Sequence, residues 1–201
     1  MMLGESTIYE NTREGLRNIS LSDKFLEERC IFLNGEIHED VALSVVQQLL
    51  YLDSVSDEPI KLYLNTPGGC CISGLYIMDI MESLRSPVYT IAAGECCSMG
   101  FAILVRGDKR FSLPSTEIMA HQCSAGAMGN IQDMRITFKR LEELNDLLAY
   151  KISEAMGMTF EDYKKRTIRD WWMGAEDALR YNVIDEICTP QPAKGKRVFK
   201  Y

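Results

Sequence analysis

Short apolar runs alternate with amphipathic stretches along most of the chain. Residues 29–33, Arg-Cys-Ile-Phe-Leu, read as a strand closed by the turn signal Asn34-Gly35. Behind Asp40, Val41, Val45, Leu49 and Leu52 recur at helical spacing. Ile60, Leu62 and Leu64 alternate with Lys61, Tyr63 and Asn65, the mark of a half-buried strand, which Thr66-Pro67-Gly68-Gly69 breaks. Residues 72–84 are helical until Ser86-Pro87 stops them, and residues 88–93 form an apolar strand ending at Gly94. The segment Gly94-Glu95-Cys96-Cys97-Ser98-Met99-Gly100 leads into a helix over residues 101–105. Residues 107–110 turn, residues 111–113 are short and extended, and residues 117–121 form a further strand.

A long helix follows at residues 130–156, with Met134, Phe138, Leu141, Leu144, Leu148 and Ile152 on one side and Gly157 at its end. That side either packs on the chain's own core or meets another chain. Helices at 160–166 and 175–181 and a strand at 183–187 complete the pattern. Residues 1–20 are polar with little periodicity, a segment that is mobile or ordered by a partner, and residues 189–201 read as a loose tail. Strands alternating with helices predict an α/β fold, built as one domain over residues 21–188.

Composition narrows the function. The 201 residues carry a net charge of −7, with 46% hydrophobic and 25% charged residues, a globular mix whose acidity argues against nucleic-acid binding. No run approaches the ~18 apolar residues of a membrane span. Residues 1–10 lack the basic and apolar regions of a signal peptide, so a cytoplasmic protein is expected. The seven cysteines form no Cys-x-x-Cys, and with two histidines they make no zinc set, so no metal and reduced thiols are expected. Cys96-Cys97 read as small buried fillers.

Ser98 is the candidate for chemistry. It stands where a strand meets a helix, whose free N–H groups and positive end suit a developing oxyanion. Met99 offers one such N–H, and the turn Pro67-Gly68-Gly69 is the natural source of a second. A serine needs a base. His38 lies among acids ahead of a helix and reads as solvated, whereas His121 ends an apolar strand before a glycine-rich stretch. Spacing alone leaves Ser98 either a helix cap or a nucleophile.

Three stretches resemble the signature regions of the ClpP family of serine peptidases. They are residues 94–100, Met119-Ala120-His121-Gln122, and Arg169-Asp170 with Ala175-Glu176-Asp177-Ala178. Asn65-Thr66-Pro67-Gly68-Gly69 resembles the family's Asn-Ser-Pro-Gly-Gly turn, and the likeness runs in order over residues 8–188. It implies a crotonase-like fold of repeated β-β-α units with residues 130–166 projecting as a handle. By resemblance, Ser98 is the nucleophile, His121 the base and Asp170 the orienting carboxylate, with Gly69 and Met99 at the oxyanion hole. Ser124, Ala125, Gly126 and Ala127 resemble the edge that holds extended substrate. The resemblance further implies two stacked seven-membered rings, residues 1–20 as an axial gate, and a partner ATPase unfoldase that feeds in unfolded protein. ATP belongs to that partner, since the chain has no Gly-x-x-x-x-Gly-Lys-[Ser/Thr], and no cofactor of its own is implied.

Some positions depart from the family pattern. Glu95 stands where the family has Gln, Cys96-Cys97 where it has small residues, and Cys123 where Pro usually follows His-Gln. The 105–110 connection looks slightly short, and Ile168 replaces the acid that pairs with the arginine at Arg169's position. Tyr63 and Phe111 match the aromatic cleft that receives ATPase loops, while Lys61 and Ser83 do not. Weakened docking is therefore expected, offset by a second peptidase paralogue in a mixed assembly. The rivals are a non-catalytic ring subunit and a crotonase-type acyl-CoA enzyme. A Cys97 mechanism is weaker, since that thiol has no evident base.

Overall fold

The computed structural model describes residues 6–12, 15–188, 190–193 and 196–199. After β1 (Thr7–Thr12), β2 (Gly15–Ser20) and α1 (Leu21–Glu27), strand and helix alternate. β3 (Cys30–Asn34), α2 (Glu39–Val55), β4 (Ile60–Thr66), α3 (Cys71–Ser83) and β5 (Val88–Cys97) lay down three parallel neighbouring strands. α4 (Met99–Val105), β6 (Lys109–Ser112) and β7 (Glu117–Ala120) follow, then α5 (Ile131–Met156), α6 (Phe160–Arg166), β8 (Trp171–Met173), α7 (Ala175–Arg180) and β9 (Glu186–Ile187). β10 (Pro190–Ala193) and β11 (Lys196–Phe199) end the described chain. β3, β4, β5, β6 and β9 form one parallel path, with β7 beside β5 and β8 antiparallel to β7.

The site is positioned by a split in this sheet. Tyr89 to Ala92 of β5 pair with β6, whereas Glu95 to Cys97 pair with β7. Gly94, at φ +72°, takes the backbone through the change of partner, and the register against β4 shifts between Leu64 and Thr66. The end of β5 is thus laid along the end of β7, where Ser98 N–H donates to Met119 O at 2.8 Å. Every residue of α4 is buried, so this helix is apolar on all sides and starts inside the core.

Several expectations need correction. α4 begins at Met99, and β6 begins at Lys109, inside the expected turn. The final strand is only Glu186–Ile187. Trp171–Met173 pair with β7 although three bulky residues in a row carry no alternation to betray a strand. Within residues 1–20, where no element was expected, β1 and β2 form an antiparallel hairpin, and β10 and β11 form another in the expected loose tail.

The long helix divides between both expected fates. In α5, Leu148, Ala149, Ile152 and Met156 are buried on the core, with Leu144 partly so. Ile131, Ile136 and Phe138 in its first turns, with Leu147 and Tyr150 further on, are exposed and left uncovered by this chain, while Met134 and Leu141 are half-buried. Asn130 caps the helix through its side chain to Asp133 N, and Gly157 ends it in the left-handed conformation. No helix among the described residues is long and apolar enough to cross a membrane.

Candidate active site

Ser98 occupies a strained junction. It has φ +56° and ψ −116°, outside the regions natural to a residue with a side chain, at a cost of about 1–3 kcal/mol. The surroundings enforce it. Cys97 is buried in the last turn of β5 pairing, Met99 starts the buried helix, and the Ser98 N–H is tied to β7. Its hydroxyl then lies 2.7 Å from His121 Nε2, a full hydrogen bond across the β5–β7 seam.

Asp170 is less closely engaged. Its Oδ1 lies 3.9 Å from His121 Nδ1, beyond hydrogen-bond distance, and its side chain is 60% exposed. Asp170 immediately precedes β8, whose pairing with β7 brings it to the same end of the sheet. Ser98, His121 and Asp170 are therefore gathered, with the first contact made and the second open. His38 is the exposed residue before α2 and is not among the residues lining the cleft at Ser98.

Gly69 and Met99, the two expected backbone donors, border the same cleft as Ser98 and His121. Ile37 bridges the Gly68–Cys70 turn, with Ile37 N–H bonded to Gly68 O and Cys70 N–H to Ile37 O, each 2.7 Å. That bridge leaves the Gly69 N–H unused. Met99 is the first residue of α4, so its N–H has no partner within the helix. A Cβ on Gly69 would collide with the Ile37 backbone, and one on Gly68 would lie 2.6 Å from Ser98 Cβ. Only glycine lets this turn press against the serine.

Beside these groups is a cleft of about 240 Å³, lined on one side by Gly69, Cys71, Ser98, Met99 and His121. α5 and α6 supply the opposite wall, including Asn145, Leu148, Tyr163 and Thr167. Periodicity marks Leu148 as part of the apolar side of the long helix but gives no sign of Asn145, Tyr163 or Thr167, which border the cleft only through the helix packing. Tyr163 is buried there, which pushes its hydroxyl well above the usual tyrosine range. Cys123 supplies a contact no proline could make: its N–H donates to Asn145 Oδ1 at 2.9 Å and ties the loop after His121 to α5.

The remaining expected residues fall as follows. Ser124, Ala125 and Gly126 are exposed and Ala127 half-buried, and none lies in a strand. Tyr63 stacks on Phe32 with ring centroids 5.0 Å apart, and Phe25 meets Phe32 edge-on. Phe111 is buried beneath Tyr89, so it supports this aromatic surface from below instead of presenting a free ring. Cys96 and Cys97 are buried fillers; burial first, then nearby charge including Glu95, pushes both thiols up, which makes Cys97 a poor nucleophile. Ile168 and Arg169 are exposed.

A mostly parallel α/β sheet carries a strained serine at a strand-to-helix junction, hydrogen-bonded to a histidine just past the adjoining strand, an arrangement of the kind that nucleophilic chemistry at serine needs. The sequence profile of the Clp protease family matches residues 12–191. The chain belongs to that family, and its sheet and projecting helix are those of the ClpP fold.

Proposed function

We propose that the chain is a serine endopeptidase subunit that cleaves unfolded proteins inside a chamber of two stacked seven-membered rings, fed by an ATP-dependent unfoldase. The observation that carries the reading is the 2.7 Å bond between Ser98 Oγ and His121 Nε2, beside a cleft that admits a side chain. Ser98 Oγ attacks the peptide carbonyl as His121 Nε2 takes the hydroxyl proton. The N–H groups of Gly69 and Met99 hold the oxyanion, and His121 returns the proton to the leaving amine. Water, activated by the same imidazole, then frees Ser98 from the acyl-enzyme. Asp170 fixes the ring with Nδ1–H outward.

Ring assembly draws support from the uncovered apolar residues on the first turns of α5, and unfoldase docking from the Phe25, Phe32 and Tyr63 cluster. The mostly exposed segment Ser124 to Ala127, which lies in no strand, is the place for extended substrate, held through its main chain with little reading of sequence. A site in the bacterial or organellar interior fits reduced thiols and an unfoldase partner.

One observation favours a second reading, a subunit active only with its partners. The 3.9 Å gap at Asp170, on an exposed side chain, is one that a neighbouring subunit could close. Hydrolysis of a short fluorogenic peptide tests both. The first reading expects turnover by the purified chain alone and a loss of about a thousandfold or more in Ser98→Ala and His121→Ala. Turnover that starts only when a second ring subunit is added supports the other reading, and turnover unchanged in Ser98→Ala overturns both.

A further inference from the structure

Two cysteines outside the proposed triad share the wall of the cleft. Cys71 opens α3, two residues after Gly69, and Cys123 lies two residues after His121. Their sulfurs are 3.8 Å apart, in van der Waals contact, although 52 positions separate them along the chain. Both are half-buried and border the same opening as Ser98 and His121. The ~2.05 Å of a disulfide is shorter than this contact by less than about 2 Å.

We propose that Cys71 and Cys123 are a site of reversible oxidative modification, closing to a disulfide that straps the His121 loop to the start of α3 and stops turnover at Ser98. The effect on turnover rests on the serine reading above; the disulfide does not.

The chemical setting selects these two thiols from the seven. Cys30, Cys96, Cys97 and Cys188 are buried, and burial first of all pushes each of them up, toward the inert thiol. Cys71 goes the other way: the hydrogen bond from the Cys123 thiol outweighs its burial and brings it down to about 7, while Cys123 is pushed up as the donor. Cys71 is the better seat for the charge, because it stands at the positive end of a 13-residue helix. Cys70, exposed and also lowered by hydrogen bonds from the Ser73 N–H and side chain, is the one rival thiolate.

The step balances with a peroxide as oxidant. The Cys71 thiolate attacks one peroxide oxygen and the O–O bond breaks, leaving a sulfenic acid and a hydroxide that takes up a proton. Cys123 sulfur then attacks Cys71 sulfur, its proton leaves with the displaced hydroxyl, and a second water departs. Two thiols and one hydrogen peroxide give one disulfide and two waters. A dithiol reductant reverses the step by exchange.

The consequence is mechanical. Cys123 now holds the loop after His121 through its N–H bond to Asn145 on α5. A disulfide adds a second, covalent hold from the opposite wall, so the loop cannot yield as substrate enters between α3 and α5. Displacement of the base by even about 1 Å lowers turnover by up to about a hundredfold.

The test uses the full chain, reduced and then treated with hydrogen peroxide. The expected result is a loss of about 2 Da per subunit, a Cys71–Cys123 linked peptide in a non-reducing map, and reversal by dithiothreitol. Peptide hydrolysis is expected to fall at least about tenfold and return on reduction. In Cys71→Ser and in Cys123→Ser, the ratio of rates before and after peroxide stays near one, whatever the starting rate. A disulfide through Cys70, a sulfinic acid on Cys71 with Cys123 free, or a mapped disulfide with unchanged turnover would each overturn the proposal. Should the reduced protein hydrolyse no peptide while the Cys71–Cys123 link maps, the modification site stands and the serine reading falls.

Discussion

Gly68 and Ser98 are pressed together so closely that a single added methyl group would separate them. A Cβ on Gly68 would lie 2.6 Å from Ser98 Cβ and 2.8 Å from Cys97 O, and Gly68 holds φ +101°, where a side chain is strained as well. Gly68→Ala should therefore destabilise the fold by roughly 2–3 kcal/mol and shift the serine away from His121. Thermal unfolding checks the first effect and peptide turnover the second, and a variant with wild-type values of both would contradict a tight Gly68–Ser98 contact.

The long helix yields a separate prediction, about assembly. Ile136 and Phe138 are 61% and 53% exposed on the turns of α5 that leave the core. Placing Glu at both positions should leave the subunit's own stability within about 0.5 kcal/mol, because neither side chain is packed in it. Native mass should nevertheless show double rings giving way to single rings. Double rings that persist in the double variant would remove this surface from the ring contact.

Low pH should weaken the fold through Arg110 and Asp185. Arg110 is buried, and Asp185 accepts from its backbone N–H at 2.8 Å and its Nε at 3.1 Å, with a further contact from Nη2. Partial burial works to push the Asp185 carboxyl up, but the hydrogen bonds from Arg110 outweigh it and hold the carboxyl below its ordinary range. A depressed folded value means stabilisation present above the unfolded value of about 3.9 and lost as pH falls through the folded one. Asp185 is 40% exposed, so screening limits the contribution to about 1–2 kcal/mol at neutral pH. Asp185→Asn should lower the thermal midpoint at pH 7, with the gap to wild type closing below about pH 4. A gap that is constant with pH would contradict the assignment.

The parts of the molecule legible in its sequence are those where one periodicity prevails. α2, α3 and α5 bury one stripe each, and β4 buries alternate residues, so spacing alone locates them. Ser98 and His121 were visible through the motifs around them, and the structure joins them by a hydrogen bond. What escaped depends on partners distant along the chain. β8 is a strand only because β7 offers it an edge. The burial of Phe111 comes from Ile91 and Cys188, brought over it by neighbouring strands. Likewise, the Cys71–Cys123 contact and the Cys123–Asn145 bond arise where α3, the His121 loop and α5 converge. No local pattern encodes those meetings.

The central claim is that His121 activates Ser98. Intact-mass labelling with a serine-directed β-lactone or fluorophosphonate tests it most directly, run on reduced wild type, Ser98→Ala and His121→Ala with native mass on the same samples. One adduct per subunit is expected on wild type, mapped to Ser98, and none on either variant. An assembled double ring of wild type that takes no adduct, or an adduct that persists in Ser98→Ala, would contradict it.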